Sequence, residues 1–109
     1  MARAGYLFIE SRDPWDSPDA RAFHETAIAL ARSQPVTVFL VQNGVLAARA
    51  GASATGLDEL KRAGVEVLAD DFSLRERGIS GDRVDGRVKA APLDVVIDQL
   101  AEGRKVLWH

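Results

Sequence analysis

The chain contains no cysteine. That absence excludes disulfides, thiolate metal ligands, a cysteine nucleophile and any sulfur held covalently on a thiol of this chain. Long apolar runs are missing too, and no run approaches the roughly 20 residues that a membrane-spanning helix needs. A basic excess is also absent. Lys+Arg number 14 against 16 Asp+Glu, for a net charge of −2, and the two signs are mixed along the chain. This argues against a nucleic-acid partner and against a membrane-surface stripe. No GxGxxG, no P-loop, no metal-spaced histidine pair and no Ser/His/Asp set in motif context occurs. The sequence therefore predicts no cofactor and no resident metal. The N-terminal MARAGYLFIES is too short and soon too polar for a secretory leader, so the expected location is cytoplasmic.

Of what is present, 47% hydrophobic and 28% charged residues over 109 positions are ordinary for a globular chain. They predict a single domain over 1–109 with one core. Ala4 to Ser11 reads as a first strand, apolar enough to be buried on both faces. Ser17-Pro18-Asp19 is a helix start, and Ala20, Phe23, Ala27 and Leu30 then recur at helical spacing until Pro35 ends the segment. Val36 to Val41 is the clearest strand, interrupted only by Thr37. Gln42-Asn43-Gly44 turns into a helical stretch near Val45. Thr55 and Asp58 have capping-box spacing for a short helix that closes at Gly64. Ser80 to Arg87 reads as a polar surface connection. Pro92 opens a last helix with Leu93, Val96, Ile97 and Leu100 on one face, and Lys105 to Trp108 is a final strand.

Between these lies GVEVLADDFSLRERGI, Gly64 to Ile79, where an apolar strand empties into two carboxylates and a helical turn. In an α/β sheet that is where a ligand site belongs. Alternating strands and helices predict an α/β fold: three layers, α/β/α, around a mostly parallel sheet of about five strands.

Several residues near the strand ends carry candidate chemistry. Asp70 and Asp71 could serve a polar ligand or a divalent cation, or simply cap the following helix. Asn43-Gly44 could present backbone amides to an anion, or be a turn glycine. Arg12 and Arg77 could add positive charge there, or pair with Glu76, Asp13 and Asp16. The ligand-binding set is thus Ser11, Arg12, Asn43, Gly44, Asp70, Asp71 and Arg77, with Asp70 the one catalytic candidate and no metal ligand assigned. His24 reads as structural, and His109 as exposed. Trp15 reads as a rim or interface aromatic, or as a cover for its own core. An acidic pair after the first strand would suggest a phosphorylated receiver, but that end reads Glu10-Ser11-Arg12.

Gln42-Asn43-Gly44-Val45, the run ending Arg77-Gly78-Ile79, and the closing helix and strand with Trp108 together resemble the DsrE/DsrF/DsrH family of small sulfur-relay proteins, the TusB/TusC/TusD-like group. The resemblance implies compact α/β/α subunits that assemble as trimers or hexamers, with themselves or with related subunits. Its sulfur-carrying members keep a cysteine just after the third strand. Counting back from Arg77-Gly78 puts Asp70 at that position, and a carboxylate cannot be persulfidated. The resemblance therefore implies a cysteine-less assembly or small-ligand-binding subunit linked to sulfur transfer. The alternative is an enzyme that uses Asp70 or Asp71 as a general base or metal ligand. The C-terminal tryptophan matches the DsrH branch and the first half looks more like DsrE, so the resemblance reaches the superfamily and no branch.

Overall fold

The computed structural model describes residues 4–109; the part of the N-terminal reading that rests on residues 1–3 lies outside them. Five strands, β1 (Tyr6–Glu10), β2 (Val36–Leu40), β3 (Glu66–Asp70), β4 (Lys89–Ala91) and β5 (Lys105–Trp108), form one sheet in the order β4-β3-β2-β1-β5. Every pairing is parallel. Four α-helices connect them: α1 (Asp19–Ala31), α2 (Leu57–Arg62), α3 (Asp71–Glu76) and α4 (Asp94–Ala101).

The strand order dictates where the helices lie. The chain steps from β1 to β2, β3 and β4 in one direction, then returns across the sheet to place β5 beside β1. Right-handed crossovers put connections that run in opposite directions on opposite faces. The packing agrees. Phe8, Val38, Leu40, Val67 and Ala69 face Ala27 of α1, Leu57 and Leu60 of α2 and Leu74 of α3. The alternate residues Leu7, Ile9, Phe39 and Leu68 face Val95 and Val96 of α4. Central β2 is buried along its whole length. Its one polar residue, Thr37, meets a buried network: its hydroxyl donates to Glu66 Oε1 at 2.8 Å and accepts from Gln99 of α4 at 3.2 Å and Arg104 at 2.9 Å.

Three local expectations need correction. Gln42–Ala48 is a 3₁₀ helix, beginning three residues before the expected start. The N-cap of α2 is Gly56, in a left-handed conformation (φ 80°), and not a Thr55–Asp58 capping box. Thr55 Oγ1 still accepts the Leu57 N–H at 3.3 Å, whereas Asp58 turns outward to Arg62. Finally, Lys89–Ala91, assigned no element between the surface connection ending at Arg87 and the helix opening at Pro92, is an edge strand paired with β3 from Leu68–Lys89 to Asp70–Ala91.

Candidate functional site

At the end of β3 the chain turns directly into α3, and Asp70 is the N-cap, with extended backbone at φ −61° and ψ 120°. Its Oδ2 accepts the Ser73 N–H at 3.0 Å and the Ser73 hydroxyl at 2.7 Å. That hydroxyl accepts the Gln42 N–H at 2.8 Å, which ties the end of β3 to the 3₁₀ helix after β2. Gln42 sits at φ 50°, unusual for a residue other than glycine, and this bond helps to hold it there. Asp71 faces elsewhere. Its half-exposed carboxylate lies 3.8 Å from Arg75, one helical turn on. The two adjacent carboxylates thus have different partners and share no common focus.

Arg77 leaves the end of α3 and returns to Asn43, whose Oδ1 accepts from Nε at 3.2 Å and from Nη2 at 3.1 Å. The third arm of the guanidinium donates to the Ser73 carbonyl at 3.3 Å. Asp70, Ser73, Gln42, Asn43 and Arg77 are therefore one connected network. Gly44 answers a different demand. A Cβ there would lie 2.2 Å from the Glu10 carbonyl oxygen, so only glycine fits. Its N–H is already donated to the Val41 carbonyl at 2.8 Å, so it is not free for an anion.

Ser11 and Arg12 belong to a second network, at the end of β1. Both the Ser11 N–H and its hydroxyl donate to the His109 carbonyl, at 3.0 Å and 2.8 Å. The Arg12 N–H donates to Glu10 Oε2 at 3.2 Å. Glu10 is only 1% exposed. His109 Nδ1 lies 2.8 Å from Glu10 Oε2, and His24 Nε2 lies 3.8 Å from Oε1. His109 is therefore not the exposed residue expected. Pairing of Ile9 with Trp108 carries β5 alongside β1, the His109 N–H donates to the Ile9 carbonyl, and its ring settles against Phe23. Burial pushes the Glu10 carboxyl up from the ordinary range, opposed by the Arg12 N–H and by His109. Burial, then the neighbouring His109, pushes the His24 imidazole down. His24 Nε2 is buried without a hydrogen-bond partner among the described residues.

Nothing in the sequence singled out Glu10, although a carboxylate ending an otherwise apolar strand was the available signal. Its partners come from α1 and β5, and no local spacing brings those together. Among the clefts of the described residues, one is lined by His24, Arg21, Thr55 and Glu59, another by Arg49, Arg77 and Arg83, and a further one by the α1–β2 turn. None of these is lined by Asp70, Asp71, Asn43, Ser11 or Arg12. No group of three or more acidic or histidine residues among the described residues is arranged to hold a metal ion. No described helix is long and apolar enough to cross a membrane.

Solved structures share this architecture. The protein of unknown function MTH1491 from Methanobacterium thermoautotrophicum superposes with a TM-score of 0.81 at 20% identity, covering 100% of both chains. The ychN protein from E. coli gives 0.77 at 21% identity, again over 100% of both. BT1422 from Bacteroides thetaiotaomicron, also of unknown function, gives 0.73 at 14% identity over 95% of this chain and 94% of that one. At such identities these likenesses concern the fold alone. No functionally curated protein matches the chain. The model of the DsrE/DsrF-like family matches residues 4–109. With that match spanning nearly the whole sequence, the chain belongs to the DsrE/DsrF-like family.

Proposed function

We propose that this protein is a non-catalytic assembly subunit of the DsrE/DsrF-like family, joining copies of itself or related subunits and serving sulfur transfer carried out on other chains. The observation that carries this reading is the state of Asp70. At the position where the resemblance puts the sulfur-bearing cysteine, a carboxylate is spent on the Ser73 N–H and hydroxyl. A carboxylate so engaged is a helix cap. The rival role, a general base or metal ligand at Asp70 or Asp71, is less favoured, since the two carboxylates have separate partners and line none of the clefts described above.

The assembly part of the reading is supported by the α4 side of the sheet. Leu93, Ile97 and Leu100 are 58%, 65% and 51% exposed, and their spacing makes one stripe along α4. Beside it, β5 leaves Val106 and Trp108 exposed. These pair with Leu7 and Ile9 of the α4-side core, so they lie on that same face of the sheet. An apolar surface of this kind marks a protein contact. The assembly proposed is a trimer or a hexamer. Asn43 and Arg77, braced on each other, remain the polar group offered to a small ligand at the strand ends, with Ser11, Arg12 and Gly44 in the neighbouring network.

Comparison of Asp70→Asn with Asp70→Ala tests the cap. Asparagine caps a helix about as well as aspartate, so the Asn variant is expected to keep its melting temperature and to show the same lack of Mg²⁺ binding as the parent. Mg²⁺ binding by the parent that is lost in the Asn variant, at unchanged melting temperature, would instead support the enzyme.

A further inference from the structure

One cleft of 440 Å³ is lined by Arg49, Arg77 and Arg83 together with Ala50, Gly51, Ala52 and Gly78. Like Arg12, Arg21 and Arg32, none of the three arginines forms an ion pair with a carboxylate among the described residues, whereas Arg62, Arg75, Arg87 and Arg104 do; only these three share a cleft among the clefts described above. Three arginines without a carboxylate partner thus line one hollow in a chain of net charge −2, and an anion there would compensate their charge. From this convergence we propose that the cleft is a binding site for a diphosphate group.

The arginines come from three segments that backbone bonds lock together. The Ala50 N–H donates to the Arg83 carbonyl at 2.7 Å and the Asp85 N–H to the Ala48 carbonyl at 2.7 Å, so the loop before β4 is fastened to the chain after the 3₁₀ helix. The Ile79 N–H donates to the Leu74 carbonyl at 2.9 Å, which fixes the exit of α3 beside them. Two of the guanidinium groups are already oriented. Arg77 is held by Asn43 and the Ser73 carbonyl. Arg49 donates to the Leu46 carbonyl at 3.0 Å and rests over the Trp15 ring at 5.6 Å. Such bracing lowers the entropy that ordering them around a ligand costs.

The chemistry of the donors selects the ligand class. Guanidinium groups bind phosphate and carboxylate oxygens in bidentate fashion. Three positive charges around one hollow match a diphosphate better than a single carboxylate or phosphate. Small and glycine residues in the lining let an anion approach the main chain closely. Nucleic acid is the less suitable polyanion, since the chain carries a net charge of −2 and nucleic-acid binding ordinarily uses an extended basic face. The site shares Arg77 with the ligand-binding part of the proposed function. Its test reads binding, whereas the assembly is read by sedimentation, so either can fail alone.

The test is calorimetric titration of the whole protein with pyrophosphate, orthophosphate, ADP and a short single-stranded RNA, repeated with Arg83→Gln, Arg49→Gln and Arg62→Gln. Pyrophosphate is expected to bind more tightly than orthophosphate. Arg83→Gln and Arg49→Gln should each weaken it by about tenfold or more, as loss of a charge-assisted contact does. Arg62→Gln, whose partner is Asp58 on α2, should leave it unchanged. ADP binding at least as tightly as pyrophosphate assigns the diphosphate to a nucleotide, and weaker ADP binding assigns it to the free anion. No pyrophosphate binding at millimolar concentration, equal weakening by Arg62→Gln, or RNA bound in preference to pyrophosphate overturns the proposal.

Discussion

The two faces of the sheet are built to different standards. The face toward α1, α2 and α3 is closed: Phe8, Val38, Leu57 and Leu60 are 0–1% exposed and belong to a core that also takes in Val45 from the 3₁₀ helix and Ile79 and Val88 from the loops. The other face has one helix. Val95 and Val96 cover Leu7, Ile9, Phe39 and Leu68, while the outer side of α4 and the edge strand β5 remain apolar and open. The contrast follows from topology, because three of the four crossovers run in one direction and load one face. It teaches that the closed face supplies the stability of the subunit, and that the open face is the one the proposed assembly would use.

Substitutions at matched depth should separate the faces. The largest effect is expected on the closed side. Phe8→Ala removes a fully buried ring that packs against Phe23 with centroids 4.9 Å apart, and a loss of about 3–5 kcal/mol is expected by chemical denaturation. A loss below about 1 kcal/mol would mean that this face is not the stabilising one.

A pH titration of stability sharpens the closed face further, because His24 lies in it. Burial lowers the His24 pKa from its ordinary 6.5. As the pH falls below about 6.5, the unfolded chain therefore takes up a proton that the folded one refuses, and stability declines. Glu10, whose pKa is raised from 4.5, acts in the opposite sense: between that raised value and 4.5 the folded chain binds the extra proton, so the decline flattens. The His24 contribution is at most about 1.4 kcal/mol per pH unit. His24→Gln should remove the decline just below neutrality. An identical slope in the variant would show that other groups carry it.

At the boundary between the faces, Asp70→Ala strips the cap of α3 and leaves the Ser73 N–H and hydroxyl without their acceptor, at a cost of about 1 kcal/mol. Asp70→Asn should cost a small fraction of that by the same denaturation measurement. Equal losses in the two variants would mean that the charge, and not the cap geometry, is what the fold uses.

How much of this was legible in the sequence depended on how local the cause was. Strands β1, β2, β3 and β5 announce themselves as apolar runs, and the five-stranded parallel sheet followed from their alternation with helices. Strand β4 did not, because Lys89-Ala90-Ala91 has no apolar run and two of its three residues are exposed. It is a strand only because β3 offers a free edge. A carboxylate cap was available from spacing, as was the helical turn beyond it, but the spacing suited Asp71, and Asp70 holds the position. Gly44 was legible as a special glycine, but its cause, the Glu10 carbonyl 2.2 Å from any Cβ, is a contact between the end of β1 and the 3₁₀ helix after β2. The Glu10–His24–His109 cluster was hidden for the same reason. His109 reaches Glu10 through the register of β5 on β1, a relation across 99 positions of sequence. The three-arginine cleft likewise depends on the antiparallel bridge between Arg49 and Val84, which no composition reveals.

The smallest effect on subunit stability and the largest on state are expected from the open face. Ile97→Glu and Leu100→Glu, on the outer side of α4, should change the denaturation free energy by less than about 0.5 kcal/mol, as surface substitutions do. Sedimentation velocity of the parent and of the Ile97→Glu/Leu100→Glu double variant, at the same micromolar concentration, is the most direct measurement of the central claim. The account predicts a trimer or hexamer for the parent, and a folded monomer with an unchanged melting temperature for the variant. A monomeric parent, or a variant that assembles as the parent does, would contradict it.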